Sequence, residues 1–234
     1  MNRVSVCMAA YNGEQFIERQ LRSILSQLAE EDEIIISDDG STDRTLQVVS
    51  ELADNRIKVV CNRHKRGPAG NFETALELAT GDYIILSDQD DIWLPDKVKD
   101  ISELLANNDL VLTDCEIIDQ DGKLLHPSFF TMRGSRRGFW HNLFRNSYIG
   151  CCMAFRRAVL SYALPFPRTI FLHDWWIGLL VELRGSIVLY EKPLIKYVRH
   201  GNNFSPTGGK GYGLAKRVRI RFFLLWNVIK RQLT

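Results

Sequence analysis

The sequence predicts an α/β protein: a mixed, mostly parallel central sheet flanked by helices, with a basic helix at the C-terminal end. Three observations predict it. Short β-branched runs alternate with segments of helical apolar spacing through the first half, the pattern of strands buried on both faces and joined by crossover helices. Polar and aromatic residues collect just after those runs, where an open sheet of this kind binds its ligands. The final stretch then loses every acid while keeping an apolar periodicity.

The run VSVCMAA (4–10) supplies the first strand. An amphipathic helix over Gln15 to Leu28 comes next, with Phe16, Ile17, Leu21, Ile24, Leu25 and Leu28 on one face. EIIIS (33–37) is the second strand, with a helix over 44–53 behind it, and IKVVC (57–61) the third, with a helix over 70–79. YIILS (83–87) is the fourth and leads to a helix from Pro95 to Leu105, proline being well suited to a first turn. DLVLTD (109–114) is a fifth strand. The rhythm fails from 119 to 147, where DQDGKLL reads as a turn and MRGSRRG as a flexible loop. Beyond Gly150 come a strand at CCMAF, a helix beginning near Asp174, and strands around 186–190 and 194–198. A Gly-rich loop, PTGGKGYG (206–213), precedes a helix over the last 20 residues.

The 234 residues, 45% hydrophobic and 25% charged, suit one large domain with at most a small appendage. No apolar run approaches the ~20 residues a bilayer span requires, and the first apolar run has no cleavage-site pattern after it. The five cysteines form no C-x-x-C pair, and the neighbours Cys151 and Cys152 are too close for an ordinary bridge, so reduced thiols in the cytosol are expected. The net charge of +2 hides an asymmetry. Residues 1–191 carry 28 acidic and 20 basic groups, whereas 192–234 carry ten basic and no acidic ones. An acidic body with a basic tail predicts an anionic partner for the tail.

The ends of the early strands are informative. Strand one gives way to YNGE (Tyr11 to Glu14), strand two to DDGSTD (Asp38 to Asp43), strand three to NRHKRG (Asn62 to Gly67) and strand four to DQDD (Asp88 to Asp91). Clustered carboxylates repel, and burying them is costly unless a cation or hydrogen bonds compensate. Neither G-x-G-x-x-G nor G-x-x-x-x-G-K-[ST] occurs after the first strand, which excludes the common dinucleotide and P-loop nests. A nucleotide diphosphate would then need a hard divalent ion, Mn²⁺ or Mg²⁺, held by one or two aspartates. Asp88 and Asp90, two apart in an extended segment, would point the same way.

The motifs AAYNGE, SDDGSTD, RGPAGN and SDQDD, in this order and spacing, resemble those of family 2 glycosyltransferases. HDWW (His173 to Trp176) is similar to that family's acidic base motif, and VRHGNN (Val198 to Asn203) to an R-x-H element of bacterial polysaccharide members, including rhamnosyltransferases. The resemblance covers residues 3 to 205 and implies a GT-A-type, Rossmann-like fold, with 1–113 binding the nucleotide-sugar, 114–205 shaping the acceptor side, and 206–234 a separate basic tail. It implies that Tyr11 packs near the base, with Asn12 and Glu14 at the pocket's edge, and that Asp39 accepts from a pyrimidine imide. Arg66 and Asn71 would lie near the ribose or phosphates, Asp88 at the ribose, and Asp90 on the metal. Asp91 would orient donor or acceptor, His200 would touch diphosphate or metal, and Asp174 would be the general base. The implied activity is inverting, metal-dependent transfer from a dTDP- or UDP-sugar, rhamnose favoured, to a saccharide or lipid-linked acceptor in bacterial surface-polysaccharide assembly. The implied place is the cytoplasmic face of the inner membrane, bound peripherally, with no nucleic-acid partner and self-association left open.

Other readings of the same residues stand beside these. Asp174 alone would serve as a helix N-cap, unless the two tryptophans after it form an aromatic wall for a sugar. His200 alone would be a structural histidine, and Trp93 reads as core. Cys151, Met153 and Phe155 suit either an acceptor groove or a buried strand face. A metal-dependent phosphohydrolase or a non-catalytic sugar-nucleotide-binding protein would share the acidic strand ends, but an aspartyl phosphohydrolase should carry D-x-D after strand one, where this chain has YNG. In the tail, Val218, Phe222, Leu225 and Ile229 share one helical face. That face would lie in an anionic headgroup layer beside Lys216, Arg217, Arg219, Arg221, Lys230 and Arg231, or else pack on protein.

Overall fold

The computed structural model describes residues 2–170, 172–201, 203 and 213–233. The expected Gly-rich loop lies outside the described residues except for Gly213, as do Asn202 and the side chain of Lys216. The first half alternates as its periodicity demands: β1 (Val4–Ala10), α1 (Ile17–Leu25), β2 (Glu33–Asp38), α2 (Thr45–Glu51), β3 (Ile57–Cys61), α3 (Pro68–Leu78) and β4 (Tyr83–Asp88). A two-residue strand β5 (Ile92–Trp93) and α4 (Lys97–Leu105) lead to β6 (Leu110–Asp119) and β7 (Leu124–His126). Then come α5 (Phe129–Arg133), α6 (Phe139–Phe144), β8 (Met153–Arg156), α7 (Leu160–Ala163), α8 (His173–Arg184), β9 (Ile187–Arg199) and α9 (Leu214–Gln232).

One nine-stranded sheet runs through both halves in the order β3-β2-β1-β4-β8-β6-β9-β5, with β7 paired to β6. β1 pairs in parallel with β2 and β4, β2 with β3, and β6 with β9. The fifth strand of the sequence does not pair with the fourth. β8 fits between β4 and β6, antiparallel to both, so those two still run the same way. Its Met153, Ala154 and Phe155 have no exposed surface, which assigns this segment to the interior and not to a groove. The strands expected at 186–190 and 194–198 are one strand, β9. Its register shifts opposite Asp114, which pairs with Pro193, and a residue with no backbone donor belongs at such a bulge.

The stretch without rhythm holds α5 and α6. Each spans little more than one turn, too short for a helical period to show, and Gly134 (φ 68°) and Gly138 (φ 119°) bound them in left-handed conformations. α8 packs tightly on this region. A Cβ added at Gly178 would stand 2.4 Å from the ring of Tyr148, whose hydroxyl donates to Glu182 at 2.8 Å. Gly178→Ala gains about 1 kcal/mol of helix propensity, but the buried, tethered ring cannot yield, and overpacking of this kind costs about 1–3 kcal/mol. The clash should win. Urea denaturation is expected to show a lower midpoint at unchanged slope, and an unchanged midpoint would mean that the ring moves aside.

Candidate active site

The C-terminal ends of β1, β2, β3 and β4 lie side by side and carry the predicted row. Tyr11 follows β1 and is 53% exposed. Its backbone is held from both sides by the amide of Gln89, which accepts from Tyr11 N and donates to Tyr11 O, each at 2.9 Å. That same amide occupies the space beside Gly13, where a Cβ would come within 2.3 Å. Residue type alone gives Gln89 no role, although it lies inside SDQDD.

Asn12 and Glu14 tie this loop to the next one. Asn12, in a left-handed conformation (φ 47°), accepts from Thr42 N at 2.8 Å, and Glu14 accepts from Arg44 N at 2.9 Å. Asp39 accepts from Asn62 Nδ2 at 2.7 Å and from Gly67 N at 2.8 Å, which fixes its carboxylate while leaving further lone pairs for a ligand. Arg66 is exposed, with its guanidinium 3.2 Å from where a Cβ on Gly40 would stand, so the glycine leaves room for it. Asn71 sits deeper than expected. It is 2% exposed, it donates to Ala10 O at 3.0 Å, and its Oδ1 has no partner.

The acidic turn after β4 is bent at Gln89 and Asp90, not extended, and it brings the carboxylates of Asp88 and Asp91 within 4.8 Å of each other while Asp90 meets His200. Asp88 lies at the strand end, half-buried. Burial, then the charges of Asp90 and Asp174, push its carboxyl up to about 8. Asp90 Oδ2 lies 2.8 Å from His200 Nε2, and Asn203 Nδ2 stands 3.4 Å from the same oxygen. His200 comes from the end of β9, stacked on Phe16 with ring centroids 4.5 Å apart. Asp91 has no exposed surface. Its Oδ1 accepts from Val198 N at 3.2 Å, two residues before His200, and its Oδ2 has no partner. Below the turn, Lys97 is fully buried, donating to Cys151 O at 3.0 Å over the ring of Trp93. Burial pushes its amine down to about 8.

The carboxylates here suit a hard divalent cation, the thiol being a soft donor. Asp88, Asp91 and Cys151 offer ligand atoms within 4.8 Å of one another, and Asp90, paired with His200, is close enough to act electrostatically on both other aspartates. Both Asp88 and Asp90 are raised by burial, with a neighbouring carboxylate adding to it at Asp88, a strain that a dication would relieve.

Asp174 opens α8 from its second position. The N-cap is Leu172, so Asp174 is not the capping residue, although its Oδ1 accepts from Trp175 N at 2.7 Å. Burial pushes its carboxyl up to about 6. The aromatic wall is not there: Trp176 is fully buried and Trp175 nearly so, their indoles donating to Ala163 O at 2.9 Å and Asn142 O at 2.8 Å. Both rings belong to the interior instead of facing a sugar. His173 is buried against Phe72 with centroids 4.1 Å apart, and burial pushes its imidazole down to about 3, keeping it neutral beside the acid.

The model of the family described as "Glycosyl transferase family 2" matches residues 5–163. The UDP-Glc:alpha-D-GlcNAc-diphosphoundecaprenol beta-1,3-glucosyltransferase WfgD of Escherichia coli is 34% identical over 191 residues, 79% of this chain and 71% of that protein. The dTDP-rhamnosyl transferase RfbG of Shigella flexneri is 32% identical over 214 residues, 84% of this chain and 72% of the relative. Among solved structures, S. aureus TarS 1–349 in complex with UDP-GlcNAc superposes with a TM-score of 0.73 at 20% identity, over 96% of this chain and 67% of the other. The curled sheet with its acidic strand ends is therefore the GT-A fold, and the matched family and the two relatives make the class a glycosyltransferase. The chain belongs to glycosyl transferase family 2.

Proposed function

We propose that this protein is an inverting, divalent-metal-dependent glycosyltransferase that uses a dTDP- or UDP-sugar, with dTDP-rhamnose favoured, and serves bacterial surface-polysaccharide assembly. The observation that carries the reading is Asp174, a buried carboxyl raised to about 6 and close enough to act electrostatically on Asp88 at the end of β4. Asp174 takes the proton from the attacking acceptor hydroxyl. The acceptor oxygen bonds the anomeric carbon from the face opposite the leaving nucleotide diphosphate, whose bond to that carbon breaks, and the configuration inverts. Asp90 with His200 would hold Mn²⁺ or Mg²⁺, which would supply Lewis-acid stabilisation of the departing charge.

The remaining residues divide the work of binding. Tyr11 covers the base, Asp39 accepts from its imide N–H, Asp88 meets the ribose and Arg66 the diphosphate. Asn12, Glu14 and Gln89 hold the loops that shape this pocket. Asn71 and Asp91 act from below, Asp91 by fixing the β9 end that presents His200 to Asp90. Residues 1–113 form the donor side and 114–205 the acceptor side.

The relatives named for a dTDP-rhamnosyl and for a diphosphoundecaprenol-linked glucosyl transfer support a saccharide or lipid-linked acceptor. Peripheral attachment of the basic tail to an anionic cytoplasmic membrane surface suits such an acceptor. No described helix is long and apolar enough to cross a membrane. A donor screen with dTDP-rhamnose, UDP-glucose and UDP-GlcNAc, with Mn²⁺ or Mg²⁺, should show nucleotide diphosphate release that an acceptor stimulates, greatest for dTDP-rhamnose. Equal release with and without acceptor would mean a hydrolase, and donor binding without release a binding module. Preference for UDP-glucose would overturn the rhamnose assignment alone.

A further inference from the structure

The tail is not a free amphipathic helix. Leu224 and Val228 of α9 are buried in the body, and Arg221 donates to the carbonyls of Leu143 and Phe144. Arg231 donates to the carbonyls of Tyr162, Leu164 and Pro165, with its guanidinium 5.3 Å from the centre of the Trp176 ring. Two of the arginines expected to meet lipid are thus clamps on protein. A second apolar stripe remains on the opposite side: Val218, Phe222, Trp226, Ile229 and Leu233, spaced four, four, three and four, all exposed. α6, which Arg221 joins to α9, carries two more exposed aromatics one turn apart, Trp140 (65%) and Phe144 (62%).

The chain segments that carry both helices have charge of one sign, and the acid nearest to α6, Glu182 of α8, lies on its inner side, accepting from Gly138 N at 2.7 Å and from the buried Asn142 Nδ2 at 3.1 Å. From Gly122 to His173 the chain has eight Lys/Arg and no acid, and from Lys192 to Thr234 ten and no acid. We propose that α6 and α9 form a single docking face for a bilayer rich in anionic lipid, with Trp140 and Phe144 entering it alongside Phe222 and Trp226. The proposal rests on the membrane reading of the tail and extends it to a second element. Aromatic side chains rimmed by arginines suit the headgroup layer, where the rings are buried and the cations meet lipid phosphate. A second copy fits less well, because a two-fold contact would set two basic faces against each other. α9 is also tied to α8, through Arg184 and Gln232 at 2.9 Å, so the docking face is braced on the helix whose first turn holds Asp174. Docking there would place the acid at a fixed offset from the membrane surface that presents a lipid-linked acceptor.

The test is co-sedimentation of the full chain with vesicles of phosphatidylglycerol and phosphatidylcholine, and of phosphatidylcholine alone, at low and high salt. Wild type should bind the anionic vesicles and be released by salt. Trp140→Ala with Phe144→Ala should weaken binding about tenfold, as should Phe222→Ala with Trp226→Ala, the apolar and charged contributions acting together. Melting should be unchanged, since all four side chains are exposed. As an independent measurement, brominated lipid should quench tryptophan emission less in Trp140→Phe than in wild type. Wild-type binding by the α6 variant, with unaltered quenching in Trp140→Phe, would overturn the proposal while the tail reading stands. No binding by wild type would remove both, and loss of a dimer in the α6 variant would identify a second copy as the occupant.

Discussion

Asp90→Ala is expected to abolish divalent-dependent nucleotide binding. In wild type, calorimetry with UDP or dTDP should show binding with Mn²⁺ that EDTA removes, and the variant should resemble wild type in EDTA at every metal concentration. Loss of an outer-shell partner alone costs ~10–100-fold in metal affinity, so loss of the principal ligand should exceed that. The fold should survive. Asp90 sits on a loop, its carboxylate meets side chains of His200 and Asn203, and its removal relieves repulsion on Asp88. Undiminished wild-type activity in excess EDTA would sink the metal assignment, whatever the variant does.

Asp174→Asn should lower kcat by ~10²–10⁴-fold, the usual worth of a positioned general base, with donor affinity nearly unchanged. The pH dependence has a definite sign. With its carboxyl raised to about 6, Asp174 is a competent base above that value, and the rate should fall as pH drops through it. Stability should move the other way. An acid whose folded pKa lies above its unfolded value of 3.8 favours folding most at low pH, and that contribution is lost as pH rises from about 4 to about 6. Asparagine escapes that penalty, at most about 3 kcal/mol at neutral pH, so the variant should melt no lower than wild type. Donor binding lost while kcat at saturation survives would make Asp174 a binding residue instead.

Much of the fold and of the site is legible in the order of residues. β-branched runs and helical spacing are local patterns, and they specify β1 to β4 and the helices between them. The strand-end row comes with them, because a parallel sheet gathers its C-terminal loops on one edge. The features that local patterns miss are of two kinds. α5 and α6 are too short to carry a period, and Pro193 marks a bulge inside one strand where the pattern suggests a break between two. Asn71, Asp91, Trp175 and Trp176 read in sequence as facing the ligand and lie in the interior instead, because burial is not written in residue type.

Local residue order accounts for the alternating α/β order, the acidic strand ends and the basic tail, and it raises Asp174 as a candidate acid. Each depends on residues close together in the chain. Long-range packing places β8 between β4 and β6 and brings His200 across to Asp90. Packing likewise sets Gln89 to brace Tyr11 and clamps α9 inward through Arg221 and Arg231, with Leu224 and Val228 buried and the expected face of Val218, Phe222 and Ile229 left outward. These contacts join residues far apart in sequence. Their energy comes from burial and from satisfying polar groups in one packed interior, and no local window of sequence contains both partners.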